Sequence, residues 1–339
     1  MDLISRASSH IAVVIPCYRV RSQILGVLAH VPFFVERIYV VDDRCPENSG
    51  QLVREECLDA RVTVIVNPEN LGVGGAVMAG YRQAISDGAK VIVKVDGDGQ
   101  MDPALIPAFV DPILRGQADY TKGNRFFDLR YISRMPTIRL FGNAVLSFMT
   151  KVSTGYWNVF DPTNGYTAIH ADVASHLPFD KISSRYFFET DILFRLGTFR
   201  AVVADVAMDA RYGDEKSSLR ISKILGEFTW KHLRNSFKRV IYNYYLRDVS
   251  LASLELPIGL IFLVSGSIVG LHRWIESYFY GHVATAGSVM LFGLQIIVGL
   301  QLLLSFIGYD IATIPVRVLH ESLSPASERR PEMDNETEH

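Results

Sequence analysis

The sequence has little cysteine, little net charge and no apolar run at its start. Cys17, Cys45 and Cys57 lack the C-x-x-C spacing of zinc and redox sites, so we expect reduced thiols rather than a disulfide framework. The net charge of −2 provides no bulk attraction for nucleic acid. The first ten residues are polar and hold no signal-peptide core, so we expect the N-terminal part of the chain to stay in the cytoplasm.

Apolar residues, by contrast, make up 49% of the chain, and the mean hydropathy is +0.17. Two uncharged stretches in the last third, 256–271 and 283–309, are candidates for membrane spans. At about 1.5 Å per residue the second easily crosses a hydrocarbon core of about 30 Å. The first is short and could be a buried helix, but next to a long span it is expected to recruit residues 249–254. Together the two stretches predict a helical hairpin.

The segment before the hairpin, 217–247, combines apolar residues at helical spacing with many basic residues. This pattern is typical of a helix on an anionic membrane surface, although a domain helix with a solvated face would share it. Basic residues precede the first span and Arg317 follows the second, so the positive-inside rule places both flanks of the hairpin in the cytoplasm. The predicted domains are a cytoplasmic α/β domain (1–216), amphipathic interface helices (217–248), two transmembrane helices (249–310) and a cytoplasmic tail (311–339) that is disordered at its end.

Through the first half, short runs rich in valine and isoleucine alternate with helix-like segments. This alternation predicts right-handed βαβ units and a parallel sheet, in which functional groups gather at the carboxyl ends of the strands. Three of those ends carry suggestive residues, at 16–18, 42–43 and 96–98. The predicted strands are 11–16, 38–41, 62–66 and 91–95, and the predicted helices are 22–29, 50–57 and 74–87.

The turn after the fourth strand is the most informative stretch. Asp96 and Asp98 flank a glycine directly after a buried strand. Carboxylates with the same orientation repel each other unless a cation lies between them, and a divalent cation completed by a diphosphate meets that need. Gln100 offers a neutral oxygen at the next alternate position, so these three residues are the predicted metal ligands. A polar turn with solvated aspartates is the alternative.

Two earlier segments suggest a nucleotide site. Asp42 and Asp43 could accept hydrogen bonds from a base or a ribose, or could cap a turn or a helix. The glycine-rich segment 70–76, with Asn70 and Gly72, opens a helix, but a dinucleotide-binding pattern would require glycine where Val77 stands. We therefore interpret it as close packing of a helix start near a nucleotide.

Later segments supply further polar candidates. Asp161 opens a turn and either faces a cleft or is structural. Glu189 and Asp191 lie on a predicted helix, either as a site pair or as surface charges. Basic side chains suit phosphate oxygens, although a scattered basic set is usually a solvated face. The basic candidates are Arg125, after a strand that ends in Lys122, and Arg211 and Lys216 in a glycine-containing loop.

In combination and in this order, the motifs resemble those of the family 2 glycosyltransferases with the GT-A fold, over roughly residues 10–315. The resemblance is greatest to dolichyl-phosphate mannose synthases and to bacterial polyprenyl-phosphate sugar transferases with two C-terminal membrane helices. It implies an α/β fold, with a GT-A Rossmann-like mixed sheet flanked by helices and followed by the interface helices and the hairpin. It rests on the segments 13–18, 40–43, 96–100, 123–125, 161–165 and 211–217.

The resemblance also implies roles for the candidate residues, with Glu189 and Asp191 as a further site. Asp98, Asp161 and Arg125 would be catalytic. Arg125, Arg139 and Asn143 would meet an acceptor phosphate. The nucleotide-sugar would be bound by Pro16, Tyr18, Asp42, Asp43, Asn70, Gly72, Asp96, Arg211 and Lys216.

The activity implied is the inverting transfer of one sugar from a nucleotide-sugar, which we take to be UDP-linked, to polyprenyl phosphate such as undecaprenyl phosphate. It would use Mg²⁺ or Mn²⁺ at the cytoplasmic face of the inner membrane, and packing between hairpins would give a homo-oligomer. Processive members carry Gln-x-x-Arg-Trp, but no such glutamine precedes Arg273 and Trp274 here. The alternatives are another membrane glycan as acceptor, or a sugar nucleotidyltransferase, whose glycine-rich loop after the first strand is missing from residues 16–20.

Overall fold

The computed structural model describes residues 10–126, 137–162, 164–208 and 221–323. The chain forms two compact units, one of Met1–His232 together with Pro315–His339 and one of Leu233–Ile314. The boundary predicted at residue 216 lies outside the described residues. The chain thus leaves the first unit, forms the second and returns to the first.

A mixed sheet forms the centre of the first unit. Its strands are β1 (Ile11–Cys17), β2 (Arg37–Asp42), β3 (Val62–Val66), β4 (Val91–Lys94), β5 (Tyr120–Asn124), β6 (Thr167–His170) and β7 (Val203–Ala207). Their order across the sheet is β3-β2-β1-β4-β6-β5-β7. β6 is antiparallel to both β4 and β5, whereas the other neighbours are parallel. The predicted mixed sheet is confirmed, and the four predicted strands match within one residue at each end.

Helices cover both faces of this sheet because alternate strand residues point to opposite sides. On one face Val13 and Ile15 pack in a buried cluster with residues of α1 (Ile24–Ala29), α2 (Ser49–Glu56) and α4 (Ile106–Leu114). On the other face Val14 packs in a second cluster with α3 (Val73–Ser86), α6 (Ala171–Ser175) and α7 (Phe188–Phe199). The described part of α5 (Thr137–Thr154) packs on α7.

The returning C-terminal segment is bound to the sheet by one buried aspartate. Asp119, just before β5, accepts hydrogen bonds from the main-chain N–H groups of Leu319 and His320, at 2.8 and 2.9 Å. The His320 ring nitrogen lies 2.6 Å from the same carboxylate, and α11 (His320–Leu323) follows. The sequence predicts a tail from residue 311 onward but not this docking, because the partner is some 200 residues away in sequence. Residues 324–339 lie outside the described part.

The second unit is a hairpin of two long helices. It begins with the end of α8 (Ile221–Ile241) and a π-helical turn (Tyr242–Arg247), followed by α9 (Leu251–Tyr280) and α10 (Ala286–Ala312). By length and composition α9 and α10 could cross a membrane, with mean hydropathies of 2.0 and 2.2. α9 continues past the predicted end at residue 271, whereas α10 has the predicted length but lies three residues later in the chain, so the connection is 281–285 rather than 272–282. Arg273, which the prediction placed in the connection, lies within α9 and pairs with Glu276 at 3.0 Å.

Glycines allow α9 and α10 to approach closely. A Cβ added at Gly299 would lie 2.6 Å from Leu263 N and 2.9 Å from Gly259 O. This small-residue contact is the kind of interface by which helices associate in lipid. A buried ion pair also joins α8 to α10, in which Arg239 donates to Asp310 at 2.6 and 3.0 Å.

Candidate active site

An open cavity of about 640 Å³ lies where β1, β2 and β4 end. Because the carboxyl ends of parallel neighbours meet at one edge, residues far apart in sequence are brought together there. The lining also includes Arg19, Lys94, Gly165 and Arg185, which sequence reasoning had not assigned. Of the candidate residues, it contains Pro16, Tyr18, Asp43, Asn70, Gly72, Asp96, Asp98 and Glu189.

The two aspartates after β4 have different partners. Asp96 Oδ1 lies 2.6 Å from the Lys94 ammonium, and Asp98 Oδ1 accepts a hydrogen bond from Gln100 N at 2.9 Å. Within the described ranges no group of three or more His, Cys, Asp or Glu side chains could hold a metal ion. Asp96 and Asp98 offer hard carboxylate oxygens, which suit Mg²⁺ or Mn²⁺ when a ligand such as a diphosphate completes the coordination. Gln100, the third predicted ligand, does not line the cavity.

Two lysines of the sheet, Lys94 and Lys122, are buried. The Lys94 side chain is 2% exposed and its Nζ lies 4.0 Å from Glu189 Oε1. Burial raises the pKa of Glu189 to about 7, against the opposing charges of Lys94 and Lys122. Burial likewise lowers the pKa of Lys122 to about 8, against the charges of Glu189 and Asp161. A lysine at the end of an apolar strand was the sequence signal that could have identified Lys94. Lys122 lies within β5, which continues to Asn124 rather than ending at Lys122 as predicted.

Asp42 and Asp43 organise the loops beside the cavity. Asp42 accepts hydrogen bonds from Cys45 N at 2.7 Å and Gly50 N at 2.9 Å, so it caps the turn that leads into α2. Asp43 accepts one from Gly72 N at 2.7 Å while also lining the cavity. The geometry thus places Asp42 in the capping role and leaves Asp43 in reach of a ligand.

The glycine-rich segment packs closely at the start of α3. Gly72 has a φ of +83°, and a Cβ there would lie 2.6 Å from Ser184 O. A Cβ at Gly74 would lie 2.5 Å from Ser183 O, and Gly75 N donates to Ser184 O at 3.0 Å. The glycines therefore let α3 start directly against the loop that precedes α7, as the interpretation of close packing requires.

Arg125 and Asp161 form a tight pair at the end of β5. Asp161 is fully buried and accepts from Arg125 Nε at 2.7 Å and from Arg125 NH2 at 3.1 Å. The Lys122 ammonium donates to Asn164 O in the same turn. Gly165 of this turn lines the cavity. The turn thus carries both the ion pair and part of the cavity wall.

Among the remaining candidates that the structure describes, Asp191 and Asn143 do not line the cavity. Asp191 is buried and accepts from Ser183 N at 2.9 Å and Ser183 Oγ at 2.6 Å, which fixes the loop before α7. Asn143 is half-buried on α5 and is not part of the lining. The Arg139 side chain, Arg211 and Lys216 lie outside the described residues.

Residues 12–177 match the family described as glycosyl transferase family 2, and the chain belongs to this family. The sheet and its helices are those of the GT-A fold. Glucosyl-3-phosphoglycerate synthase from Mycobacterium tuberculosis, solved with Mn²⁺, UDP and glucosyl-3-phosphoglycerate, superimposes with a TM-score of 0.51 at 17% identity. That match covers 72% of this chain and 85% of the synthase.

Two curated relatives act on polyprenyl phosphates according to their names. The chain is 28% identical over 194 residues to UDP-N-acetylglucosamine–dolichyl-phosphate N-acetylglucosaminyltransferase of Methanococcus voltae, covering 53% of this chain and 77% of the relative. It is 28% identical over 186 residues to undecaprenyl-phosphate mannosyltransferase of Micrococcus luteus, covering 53% and 75%.

Proposed function

We propose that the protein transfers one sugar from a nucleotide-sugar to a polyprenyl phosphate, such as undecaprenyl phosphate, at the cytoplasmic face of the inner membrane. The observation that carries this proposal is the cavity lined by Asp96 and Asp98, whose wall includes the turn that holds the Arg125–Asp161 pair. The names of the two relatives support a polyprenyl phosphate acceptor.

The donor is proposed to be UDP-linked. UDP occupies the solved synthase, and UDP-N-acetylglucosamine appears in the name of one relative. Arg19 and Arg185 line the cavity and can meet diphosphate oxygens. Asp98, with Asp96 beside it, would hold Mg²⁺ or Mn²⁺. A bound divalent ion would neutralise the charge that develops on the leaving diphosphate.

The acceptor phosphate is proposed to meet Arg125, with Arg139 and Asn143 as further contacts. Asp161 holds two nitrogens of the Arg125 guanidinium and so fixes its orientation. A phosphate monoester has a second pKa of about 6 and is largely ionised at neutral pH, so transfer needs no strong base. A phosphate oxygen would form the bond to C1 while the bond from C1 to the nucleoside diphosphate breaks, with inversion at C1. The leaving group takes the electron pair.

Attachment to the membrane suits this chemistry. A polyprenyl chain stays in the bilayer and presents its phosphate at the surface. The apolar helices α9 and α10 are long enough to span the bilayer, and the basic helix α8 precedes them. We propose that α8 lies at the membrane surface and that copies of the chain associate through their hairpins.

The test is a screen of labelled nucleotide-sugars with purified protein and undecaprenyl phosphate, with Mg²⁺ and Mn²⁺ in parallel. We expect label in the organic phase as a lipid-linked sugar of inverted anomeric configuration. Label confined to a glycan would indicate the alternative acceptor, and release of pyrophosphate from a nucleoside triphosphate and a sugar phosphate would indicate a nucleotidyltransferase.

Asp98→Ala tests the assignment of the metal site in the same assay. Loss of a charged group that acts on the leaving group should lower kcat/KM by at least about 100-fold. Asp111→Ala is the matched control, because Asp111 lies on α4, pairs with Arg115 just after that helix and does not line the cavity. Transfer by Asp98→Ala at the rate of the control would contradict the assignment.

A further inference from the structure

Lys94 is a charged residue at the end of a central strand whose other residues are apolar. It ends β4, with Val14 of β1 opposite on one side and Thr167 of β6 on the other. Only 1% of the residue is exposed. A lone ammonium at such depth costs several kcal/mol of desolvation free energy, and an apolar residue of similar volume would avoid that cost. The charge therefore needs an explanation from its surroundings.

Two carboxylates surround the Lys94 ammonium, and the space that it occupies is open because residue 165 is a glycine. Lys94 Nζ lies 2.6 Å from Asp96 Oδ1 and 4.0 Å from Glu189 Oε1. A Cβ added at Gly165 would collide with this ammonium and would lie 3.1 Å from Asp96 Oδ2. The Phe188 ring centroid, 5.6 Å away, closes a further side. The turn before β6 and the start of α7 thus both accommodate the Lys94 head group.

All of the charged groups in this arrangement also line the cavity. Asp96 comes from the end of β4 and Glu189 from the first turn of α7, so without a cation between them the two carboxylates would repel each other. One ammonium does not occupy all the oxygen lone pairs of two carboxylates, so Asp96 and Glu189 can still accept hydrogen bonds from a ligand in the cavity. Carboxylates of this kind bind sugar hydroxyl groups.

We propose that Lys94 is a positioning residue, which holds Asp96 and Glu189 at the spacing that binds the hydroxyl groups of the donor sugar. The proposal rests on the proposed function for the identity of the donor as a nucleotide-sugar. It gives Glu189 a part in sugar binding that depends on Lys94. It also accounts for Gly165, since any side chain there would occupy the place of the ammonium.

The test is a double-mutant cycle of Lys94→Met and Glu189→Gln, read by calorimetric titration without acceptor. The probe is the nucleotide-sugar on which the wild type is most active in the screen or, if no transfer occurs, the one in that panel that binds most tightly. Lys94→Met should weaken binding by about tenfold or more. The double variant should bind no more weakly than Lys94→Met, because removal of one carboxylate relieves the repulsion that the first change creates. Single effects that simply multiply would overturn the proposal.

Kinetics separates positioning from a loss of folded protein. Lys94→Met should raise the donor KM and leave the polyprenyl phosphate KM unchanged, whereas a merely structural defect would lower kcat with both KM values unchanged. Lys90→Met is the matched control, because Lys90 is exposed and directly precedes the same strand. Lys90→Met by itself should bind donor as the wild type does. Combined with Glu189→Gln, it should give the product of the two single effects on donor binding. If the wild type binds a nucleotide-sugar but transfers nothing, the proposed function fails while the Lys94 test still stands; if it binds none, both fail.

Discussion

The pairing of Arg125 with Asp161 shows how a single residue is fixed beside the cavity. The carboxylate is fully buried, and such a group is costly unless its charge is matched. Two guanidinium nitrogens of Arg125 supply that match, and its main-chain N–H adds a contact at 3.3 Å. Asp161 is therefore suited to hold an arginine in place.

Asp161→Asn should lose turnover and keep donor binding. Asparagine has nearly the same shape but offers one neutral oxygen, so the guanidinium loses its bidentate, charge-assisted contact. We expect kcat to fall by about 100-fold, with the dissociation constant of the nucleotide-sugar within about threefold of the wild type. Titration of the donor and initial rates with polyprenyl phosphate measure the two quantities. Weakened donor binding with an intact fold would argue against a role on the acceptor side.

His170 provides a prediction about pH. Its ring stacks on that of His320 with centroids 4.3 Å apart, and Nδ1 accepts from Asp172 N at 3.3 Å. Burial, and then the charge of His320, lower the pKa of His170 to about 4. Between pH 6.5 and 4 the unfolded chain therefore binds more protons at this position than the folded chain. The contribution to stability is complete above pH 6.5 and is lost as the pH falls toward 4.

His170→Asn should flatten this dependence, because asparagine can still cap α6 but does not titrate. A difference of about 2.5 pKa units corresponds to about 3 kcal/mol between the ends of that range. The apparent melting temperature in detergent, measured at pH 7.5 and 5, is the readout. Burial also lowers the pKa of His232 to about 4, so the variant should keep a smaller dependence of the melting temperature on pH. His176→Asn, at an exposed position, is the control and should leave the dependence of the melting temperature on pH unchanged. If His170→Asn keeps the dependence of the wild type, the pH dependence does not come from His170.

At the scale of elements, the sequence predicted what depends on local patterns. The runs at 11–16, 38–41, 62–66 and 91–95 identified four strands because buried parallel strands are continuous in valine and isoleucine. The antiparallel insertion of β6 and the docking of residues 319 and 320 depend on distant partners and left no local signal. The same limit applies at the site, where Asp96 and Asp98 were found but Lys94 and Lys122 became evident only once their burial was seen.

The hairpin helices give a test of packing between elements. Gly299 faces α9 so closely that a Cβ would lie 2.6 Å from Leu263 N, whereas Gly293, on the same helix, has nothing within 4 Å of its Cβ position. Gly299→Ile should force the helices apart and lower the melting temperature of the membrane-extracted protein by several degrees, since overpacking typically costs about 1–3 kcal/mol. Gly293→Ile should change it little. Equal effects of the two changes would mean that α9 and α10 do not pack through this glycine.

At the scale of the whole molecule, the path of the chain bears on its arrangement in a membrane. Residues 10–232 and 315–323 belong to one compact unit, and only 233–314 lie in the other. The contacts of Asp119 with Leu319 and His320 hold the returning segment to the first unit. If α9 and α10 cross a membrane, this path predicts that both ends of the hairpin lie on one side of it. The path of the chain and the distribution of lysine and arginine are independent observations, and both predict an even number of crossings.

The loop 281–285 should therefore lie on the opposite side from the first unit. In bacterial spheroplasts a membrane-impermeant maleimide should label His282→Cys, whereas Arg317→Cys, also at an exposed position, should react only after lysis. The wild type, with Cys17 and Cys45 buried and Cys57 half-buried, gives the background. Labelling of both variants from the same side would mean that α9 and α10 enter the bilayer without crossing it. Labelling of Arg317→Cys alone in intact spheroplasts would invert the orientation and place the cavity away from cytoplasmic nucleotide-sugars.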